Sequence, residues 1–345
     1  MASQQPVGVL GAGSWGTALA ILIARNGHRV WLWSHSAQQA SEIAQQRENS
    51  RYLPGITLPD TIDVTADLAS LVRNTFGLVI AVPSHAFHNT LVSLRQHAEG
   101  PLRVCWGTKG FEPNSGRLPS TVFHEVLKTH DTVPAVISGP SFANEVALGF
   151  PTALTVGCED DAATQQFTDW FRNERVRVYT STDLVGIQLG GAIKNGMAIA
   201  TGISDGLSLG ANARAALITR ALAEMTRFGI ALGGQAKTFS GLTGVGDLLL
   251  TATDDQSRNR RLGIGLGRGS SINKLIKQIG QEIEGINTAR VLYEKSRELG
   301  IQMPISEQAV SYTHLRAHET LRYLVCPVLR EKKKGGGGGG GGGGG

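Results

Sequence analysis

Cysteine is scarce in this 345-residue sequence: Cys105, Cys158 and Cys326 stand apart, with no CxxC spacing. That excludes a disulfide framework and a thiolate zinc site, and no metal is expected; a reducing compartment, the cytoplasm, is the expectation. Long apolar runs are missing too. No stretch reaches the roughly 18 uninterrupted apolar residues that cross a bilayer, and the opening "MASQQPVGVLGAG" has no basic-then-apolar leader. No membrane insertion is expected. Nor is one sign of charge in excess over most of the chain. The net charge is +5, but residues 311–345 hold six basic and two acidic residues, leaving 27 basic and 26 acidic elsewhere. Nucleic acid is therefore not an expected partner.

The C-terminal stretch lacks the composition of a folded element. It ends in "EKKKGGGGGGGGGGG", eleven consecutive glycines that can form neither a core nor a regular element. With the preceding "SYTHLRAHETLRYLVC", residues 311–345 read as a non-native tail, a fusion scar or translated read-through, with the natural continuation expected to be lost after about Val310.

The full sequence has 41% hydrophobic and 18% charged residues, and its length is enough for two ordinary domains with a well-buried core. Residues 6–33 read as strand, glycine turn, amphipathic helix and strand, a βαβ unit. Its turn holds Gly11, Gly13 and Gly16 in the G-x-G-x-x-G spacing. The first glycine lets the chain turn, the second lets backbone approach a pyrophosphate, and the third lets helix and strand pack closely. Dinucleotide binding is the expectation. The second strand ends in Trp33, Ser34 and His35, with no carboxylate where the ribose 2′-hydroxyl is usually held. A 2′-phosphate meets no repulsion there and His35 or Arg51 could assist it, so the cofactor is NADP or NAD with a lean to NADP.

Further strands are expected at 77–84, 102–110, 134–141 and 152–158, in an open, mostly parallel sheet. Beyond about Thr182 strand-like runs give way to helical patterns at 183–203, 211–232, 271–279 and 287–299. The fold expected is an α/β, Rossmann-type doubly wound domain over 1–181 followed by an all-α domain over 182–310.

In "LGGAIKNGMAIATGISDG", residues 189–206, one lysine, Lys194, sits among Gly, Ala, Ile, Leu and Met on a helix that otherwise reads as buried. Desolvation opposes a buried ammonium, so such a lysine either snorkels or has a task. Partial burial would lower its pKa toward working pH, and a cationic donor suits a developing alkoxide. Downstream, "SRNRR" offers Arg258 and Asn259 beside Ser257, a fork and donors that suit a phosphate.

Taken together, "GAGSWGTALA", "VPSHAF", "WGTKGFE", "ISGPSFANEVA", the block from Val185 to Met225, "GLTGVGDLLLTATDDQSRNR" and "IGQEIEG" resemble the NAD(P)-dependent glycerol-3-phosphate dehydrogenase family, bacterial type, from about residue 6 to Ile305. The resemblance implies reversible reduction of dihydroxyacetone phosphate to sn-glycerol 3-phosphate, which supplies glycerophospholipid synthesis, and a homodimer. It implies Lys194 as the acid/base, Lys109 at both nicotinamide and substrate, and Asp247 with Thr251 orienting Lys194 and the substrate hydroxyls. Gly139 and Ser141 would line the substrate, while Ser257, Arg258 and Asn259 hold its phosphate. Ser14, Trp15, His35, Ala143, Arg258 and Glu284 would contact the dinucleotide, and Glu282 through its backbone. Two other readings stand beside it: a related hydroxy-acid or sugar-acid dehydrogenase, and a dinucleotide sensor without turnover.

Overall fold

The computed structural model describes residues 6–314, so most of the expected tail lies outside the described residues. The first half alternates strand and helix: β1 (Val7–Leu10), α1 (Ser14–Arg25), β2 (Val30–Trp33), α2 (Ala37–Gln46), β3 (Ile62–Thr65), α3 (Leu68–Asn74), β4 (Gly77–Ile80) and α4 (Ser84–His97). It continues through β5 (Leu102–Trp106), α5 (Pro119–Val126), β6 (Thr132–Ser138), α6 (Ala143–Leu148), β7 (Thr152–Cys158), α7 (Asp161–Phe171) and β8 (Val176–Ser181). All eight strands form one sheet in the order β3-β2-β1-β4-β5-β6-β7-β8. Pairing is parallel throughout except between β6 and β7.

Strands β1 and β4 are buried at all four positions, as expected of strands covered on both faces by helices. One apolar layer gathers α1 and α7 on the sheet around Ile21, Phe167 and Phe171; the other gathers α3, α4 and α5 around Leu91, Trp106 and Phe123. The order in which strands are added reverses beside β1, whose parallel neighbours are β2 on one side and β4 on the other. Such a switch point opens a crevice at the carboxyl ends of the strands, and the glycine turn lies there. Three expected strands end early, at Ile80, Trp106 and Ser138, because the chain leaves the sheet on that edge: "VPSH" runs into α4, and "GTKG" and "GPS" leave as loops. Sequence reading passed over β3 and β8. "IDVT" is four residues and only partly buried, and "VRVYTS" lies on the sheet edge with three of its six residues exposed, so neither carries a long apolar run.

From α8 (Leu184–Gly206) onward the described chain is helical, with α9 (Gly210–Ala231), α10 (Ala236–Phe239), a π-helical turn at Leu242–Gly246, α11 (Asp247–Thr253), α12 (Arg258–Gly267), α13 (Ile272–Ile279), α14 (Glu284–Glu298) and α15 (Pro304–His314). α8 is the axis of this half. Asp183 caps it by accepting from the Gly186 N–H at 2.8 Å, and nearly every residue from Leu184 to Ser204 is buried. A helix apolar on all sides must be surrounded, and α9, α11, α12, α14 and α15 all pack on it. Gly202 and Gly206 of α8 lie directly against Gly263 and Gly267 of α12, where a Cβ on either side would collide with backbone. That close crossing fixes the start of α12, with its Arg258 and Asn259, relative to the middle of α8. Helix α15 runs past the expected break at Val310, with Tyr312 and Thr313 buried. Among the described residues no helix is long and apolar enough to cross a membrane.

Candidate active site

The glycine turn has the geometry its spacing predicts. Gly11 sits at φ +115°, where L side chains rarely go, and a Cβ on Gly16 would collide with the Gly11 carbonyl. A Cβ on Gly13 would meet nothing within 4 Å, so open space lies over that residue. Gly13 precedes α1, whose first turn, Ser14 and Trp15 included, has no acidic residue and no side-chain cap. The positive end of the helix is thus left facing the open side, a cradle that fits a pyrophosphate. Trp15 lies over Gly107, and the Lys109 ammonium is 5.8 Å from the centre of its ring. At the end of β2, Ser34 is buried and donates to Gln39 Oε1 at 2.7 Å, while His35 is exposed. Arg51 is exposed and stacks over Tyr52.

Across the crevice the helical half supplies a compact charge cluster. Lys194, in the middle of α8, is 7% exposed and points at Asp247, which has no exposed surface. Its Nζ donates to Asp247 Oδ1 and, at 3.0 Å, to Thr251 Oγ1. The second oxygen of Asp247 accepts from Lys109 Nζ at 2.9 Å, and Lys109 also reaches the Gly139 carbonyl at 3.4 Å. The π-helical turn immediately before Asp247 sets this up. α8 passes so close that a Cβ at Gly190 would collide with the Thr243 carbonyl, and the widened turn delivers Asp247 against Lys194. Asp247 begins α11 without capping it; its carboxylate serves the two lysines instead.

Burial pulls the Lys194 ammonium down from its ordinary 10.5 to about 8; Asp247 opposes that fall and Lys109 adds to it. One carboxylate between two ammonium groups leaves a net positive charge at the mouth of the crevice. A group poised near neutrality beside a second fixed cation can pass a proton to an oxygen that is gaining negative charge.

The sequence-expected phosphate residues stand at the start of α12. Ser257 caps that helix by accepting from the Arg260 N–H at 3.2 Å. Asn259 is held at both ends of its amide, donating to Asn195 Oδ1 and accepting from the Gly285 N–H, each at 3.0 Å. Arg258 donates to Gln281 Oε1 at 3.3 Å, and burial draws its guanidinium below its ordinary value against the pull of Glu284. Glu284 in turn crosses to the sheet half, taking the Ser84 N–H at 2.9 Å and the Ser84 hydroxyl at 2.6 Å. Burial pushes its carboxyl up, and the two Ser84 bonds oppose the rise. Glu282 is exposed and faces His85 at 3.9 Å. On the sheet edge, Gly139 sits at φ +133°, Ser141 Oγ donates to its carbonyl at 3.0 Å, and Ala143 opens α6.

Lys109, Gly139, Ser141, Lys194, Asp247 and Thr251 are therefore in one hydrogen-bonded set, while Ser257, Arg258 and Asn259 at the start of α12 and Glu284 at the start of α14 are each held by partners outside their own group. His35 and Glu282 belong to neither by direct contact. Sequence reasoning missed Ser84 as the partner of Glu284, although "VPSH" stands at a strand's carboxyl end, and gave Asn195 no role despite its place beside Lys194.

Comparison with known proteins follows the same two halves. The family model for the NAD-dependent glycerol-3-phosphate dehydrogenase N-terminus matches residues 6–164, and that for the C-terminus matches residues 183–321. A glycerol-3-phosphate dehydrogenase [NAD(P)+] of Thioalkalivibrio sulfidiphilus is 51% identical over 306 residues, covering 89% of this chain and 92% of that protein. One from Methylococcus capsulatus is 50% identical over 322 residues, covering 92% and 96%. The crystal structure of a glycerol-3-phosphate dehydrogenase from Coxiella burnetii superposes with a TM-score of 0.90 at 40% identity, over 95% of this chain and 99% of that one.

Proposed function

The chain belongs to the NAD-dependent glycerol-3-phosphate dehydrogenase family, and from that membership we propose how its own residues carry the reaction. It is an NAD(P)-dependent oxidoreductase interconverting dihydroxyacetone phosphate and sn-glycerol 3-phosphate. When bound, the dinucleotide supplies or accepts the hydride at the substrate's second carbon.

In our reading the backbone of Gly11, Gly13 and Gly16, with Ser14 and Trp15, holds the pyrophosphate side of the cofactor, and His35, Ala143, Arg258, Glu282 and Glu284 contact it elsewhere. NADP is favoured over NAD because Ser34 turns inward to Gln39 and presents no carboxylate to a 2′-phosphate, while His35 lies exposed beside it. Arg258 grips the substrate phosphate through charge-assisted hydrogen bonds, with Asn259 and Ser257 beside it and Gly139 and Ser141 lining the opposite wall.

Lys194 gives its proton to the ketone oxygen in reduction and takes it back in oxidation. Asp247 and Thr251 aim the amine, and Lys109 adds positive charge for the developing alkoxide. The observation that carries this reading is the Lys109–Asp247–Lys194 chain, in which one fully buried carboxylate holds an amine from each half of the molecule. Absorbance of NADPH or NADH with dihydroxyacetone phosphate, run beside unphosphorylated dihydroxyacetone and a 2-keto acid, tests it. Turnover confined to the phosphorylated ketone is expected; faster turnover of the keto acid would favour the hydroxy-acid alternative.

We further propose a homodimer in the cytoplasm, feeding glycerophospholipid synthesis. Two buried free cysteines, Cys105 and Cys158, suit a reducing compartment. The dimer rests on family membership, and sedimentation at micromolar concentration tests it.

A further inference from the structure

In the segment between α2 and β3, "RENSRYLPGITLP", only Arg51 has been considered above, at the cofactor's 2′ position. The segment is tightly built. The Tyr52 and Leu53 N–H groups fold back on the Asn49 carbonyl at 3.2 and 2.8 Å, the Gly55 N–H donates to Glu48 Oε1 at 2.9 Å, and Leu53, Ile56 and Leu58 are buried. At its anchor Asn49 is 1% exposed and reaches into the glycine turn.

We propose that Asn49, together with Gln39, is a positioning residue for the dinucleotide: their side-chain amides pin the Ala12 carbonyl so that the Gly13 N–H faces the pyrophosphate. The proposal rests on the reading of the glycine turn as the pyrophosphate site. Asn49 Nδ2 donates to Ala12 O at 3.0 Å and to Thr17 Oγ1 at 2.8 Å, and Gln39 Nε2 donates to the same Ala12 oxygen at 2.8 Å. A carbonyl oxygen has two lone pairs, and both are engaged here. In a trans peptide the C=O and N–H point in opposite directions. Holding the Ala12 oxygen toward the protein therefore turns the Gly13 N–H outward, on the side where a Cβ would meet only open space.

Without those donors the Ala12–Gly13 peptide is free to flip, since glycine tolerates both orientations. The flip would present an oxygen, not an N–H, to an anionic ligand. Gln39 also accepts from the Ser34 hydroxyl at 2.7 Å, so one side chain links the turn to the end of β2, where the cofactor's 2′ substituent is read.

The test measures NADPH affinity by fluorescence titration and steady-state constants on the full chain. Asn49→Asp keeps the shape but puts a carboxylate against the carbonyl; Gln39→Met keeps the length and removes the donor, on a half-buried side chain whose loss leaves the core intact. Each is expected to raise the NADPH Kd about tenfold, with kcat at saturating NADPH and the dihydroxyacetone phosphate KM within about twofold of the parent. Gln39→Met carries the test if Asn49→Asp does not fold. Unchanged Kd in the folded variants, or a fall in kcat that tracks melting temperature without a change in Kd, overturns the proposal. Gly13→Val separates it from the reading beneath it. A side chain there starts in open space, with nothing within 4 Å of its Cβ, so normal binding by that variant would sink the pyrophosphate site itself. Lost binding by Gly13→Val with unchanged Asn49→Asp and Gln39→Met would sink only the positioning role.

Discussion

Lys109 and Asp247 join the two halves of the molecule: an ammonium at the carboxyl edge of the sheet stands 2.9 Å from a fully buried carboxylate of the helical half, 138 residues further along the chain. The other oxygen of that carboxylate holds Lys194. Removing the shared carboxylate would leave two ammonium groups facing each other unpaired, which costs far more than either pair contributes. The cleft therefore closes around a single acid, and each amine depends on it.

Lys194→Met should lower kcat by about a hundredfold to ten-thousandfold, the range expected when a positioned acid/base is lost. The NADPH Kd should stay within about threefold, because Lys194 lies across the crevice from the glycine turn. Steady-state kinetics and fluorescence titration check both. Ordinary turnover in this variant would remove the proton donor from the scheme.

The Lys194 value of about 8 gives the reaction opposite pH profiles in its two directions. Ketone reduction needs the protonated amine, so kcat/KM should be flat below about pH 8 and fall above it; alcohol oxidation needs the neutral amine and should rise through the same point. Since Asp247 holds the value up and Lys109 holds it down, Asp247→Asn should move the limb to lower pH and Lys109→Met to higher pH. Limbs that stay in place in both variants would assign the titration to another group.

Arg258→Ala should raise the substrate KM by about thirtyfold, roughly 2 kcal/mol for a lost charge-assisted fork, and Arg258→Lys should recover part of it. Unphosphorylated dihydroxyacetone should be almost indifferent to the change. If its KM rises equally, Arg258 is not the phosphate ligand.

The residues proposed to carry the chemistry are more legible in the sequence than the frame that aims them. Lys194 stood out because an ammonium among apolar helix residues has few bland explanations, and the glycine triplet because its spacing is set by steric contacts that side chains forbid. Contacts between distant segments leave no such trace. Ser84 and Glu284 lie 200 residues apart, and Asn49 reaches a carbonyl 37 residues earlier. Each looks like an ordinary polar loop residue until the fold brings its partner. The short helices α11 and α12 were hidden for a different reason: glycine, Asp and Arg mask the apolar period, and it is packing on α8 that makes them helical. The antiparallel β7 was visible as a strand but not in its direction, which depends on a return past α6 that local pattern does not encode.

The coenzyme lean follows from the end of β2. With Ser34 turned inward and His35 exposed, kcat/KM should favour NADPH over NADH by about tenfold, one charge-assisted contact's worth. His35→Asp should reverse the order, since a carboxylate repels a 2′-phosphate and accepts from a ribose hydroxyl. Initial rates at several concentrations of each coenzyme decide it, and a strong NADH preference in the parent would show that another segment supplies the missing acid.

Glu224 gives the helical half a pH-dependent stability separate from catalysis. This carboxyl on α9 is 3% exposed and accepts from the N–H groups of Ile305 and Ser306 at 2.8 and 3.4 Å, so it caps α15 from a neighbouring helix. Burial pushes it up from 4.5 to about 7, against the backbone bonds and the nearby Arg227 and Arg220. Between those two values the folded chain holds a proton that the unfolded chain has released, so stability should fall as pH rises. The contribution is complete below about pH 4.5 and lost as pH passes through about 7; it is on the order of 3 kcal/mol for a shift of that size. Glu224→Gln keeps an acceptor for the Ile305 N–H and cannot ionise. Urea unfolding from pH 5 to 8 should therefore show the parent losing stability relative to the variant across that window. Curves that run parallel would mean that Glu224 keeps its charge in the fold and that the cap is an ordinary carboxylate.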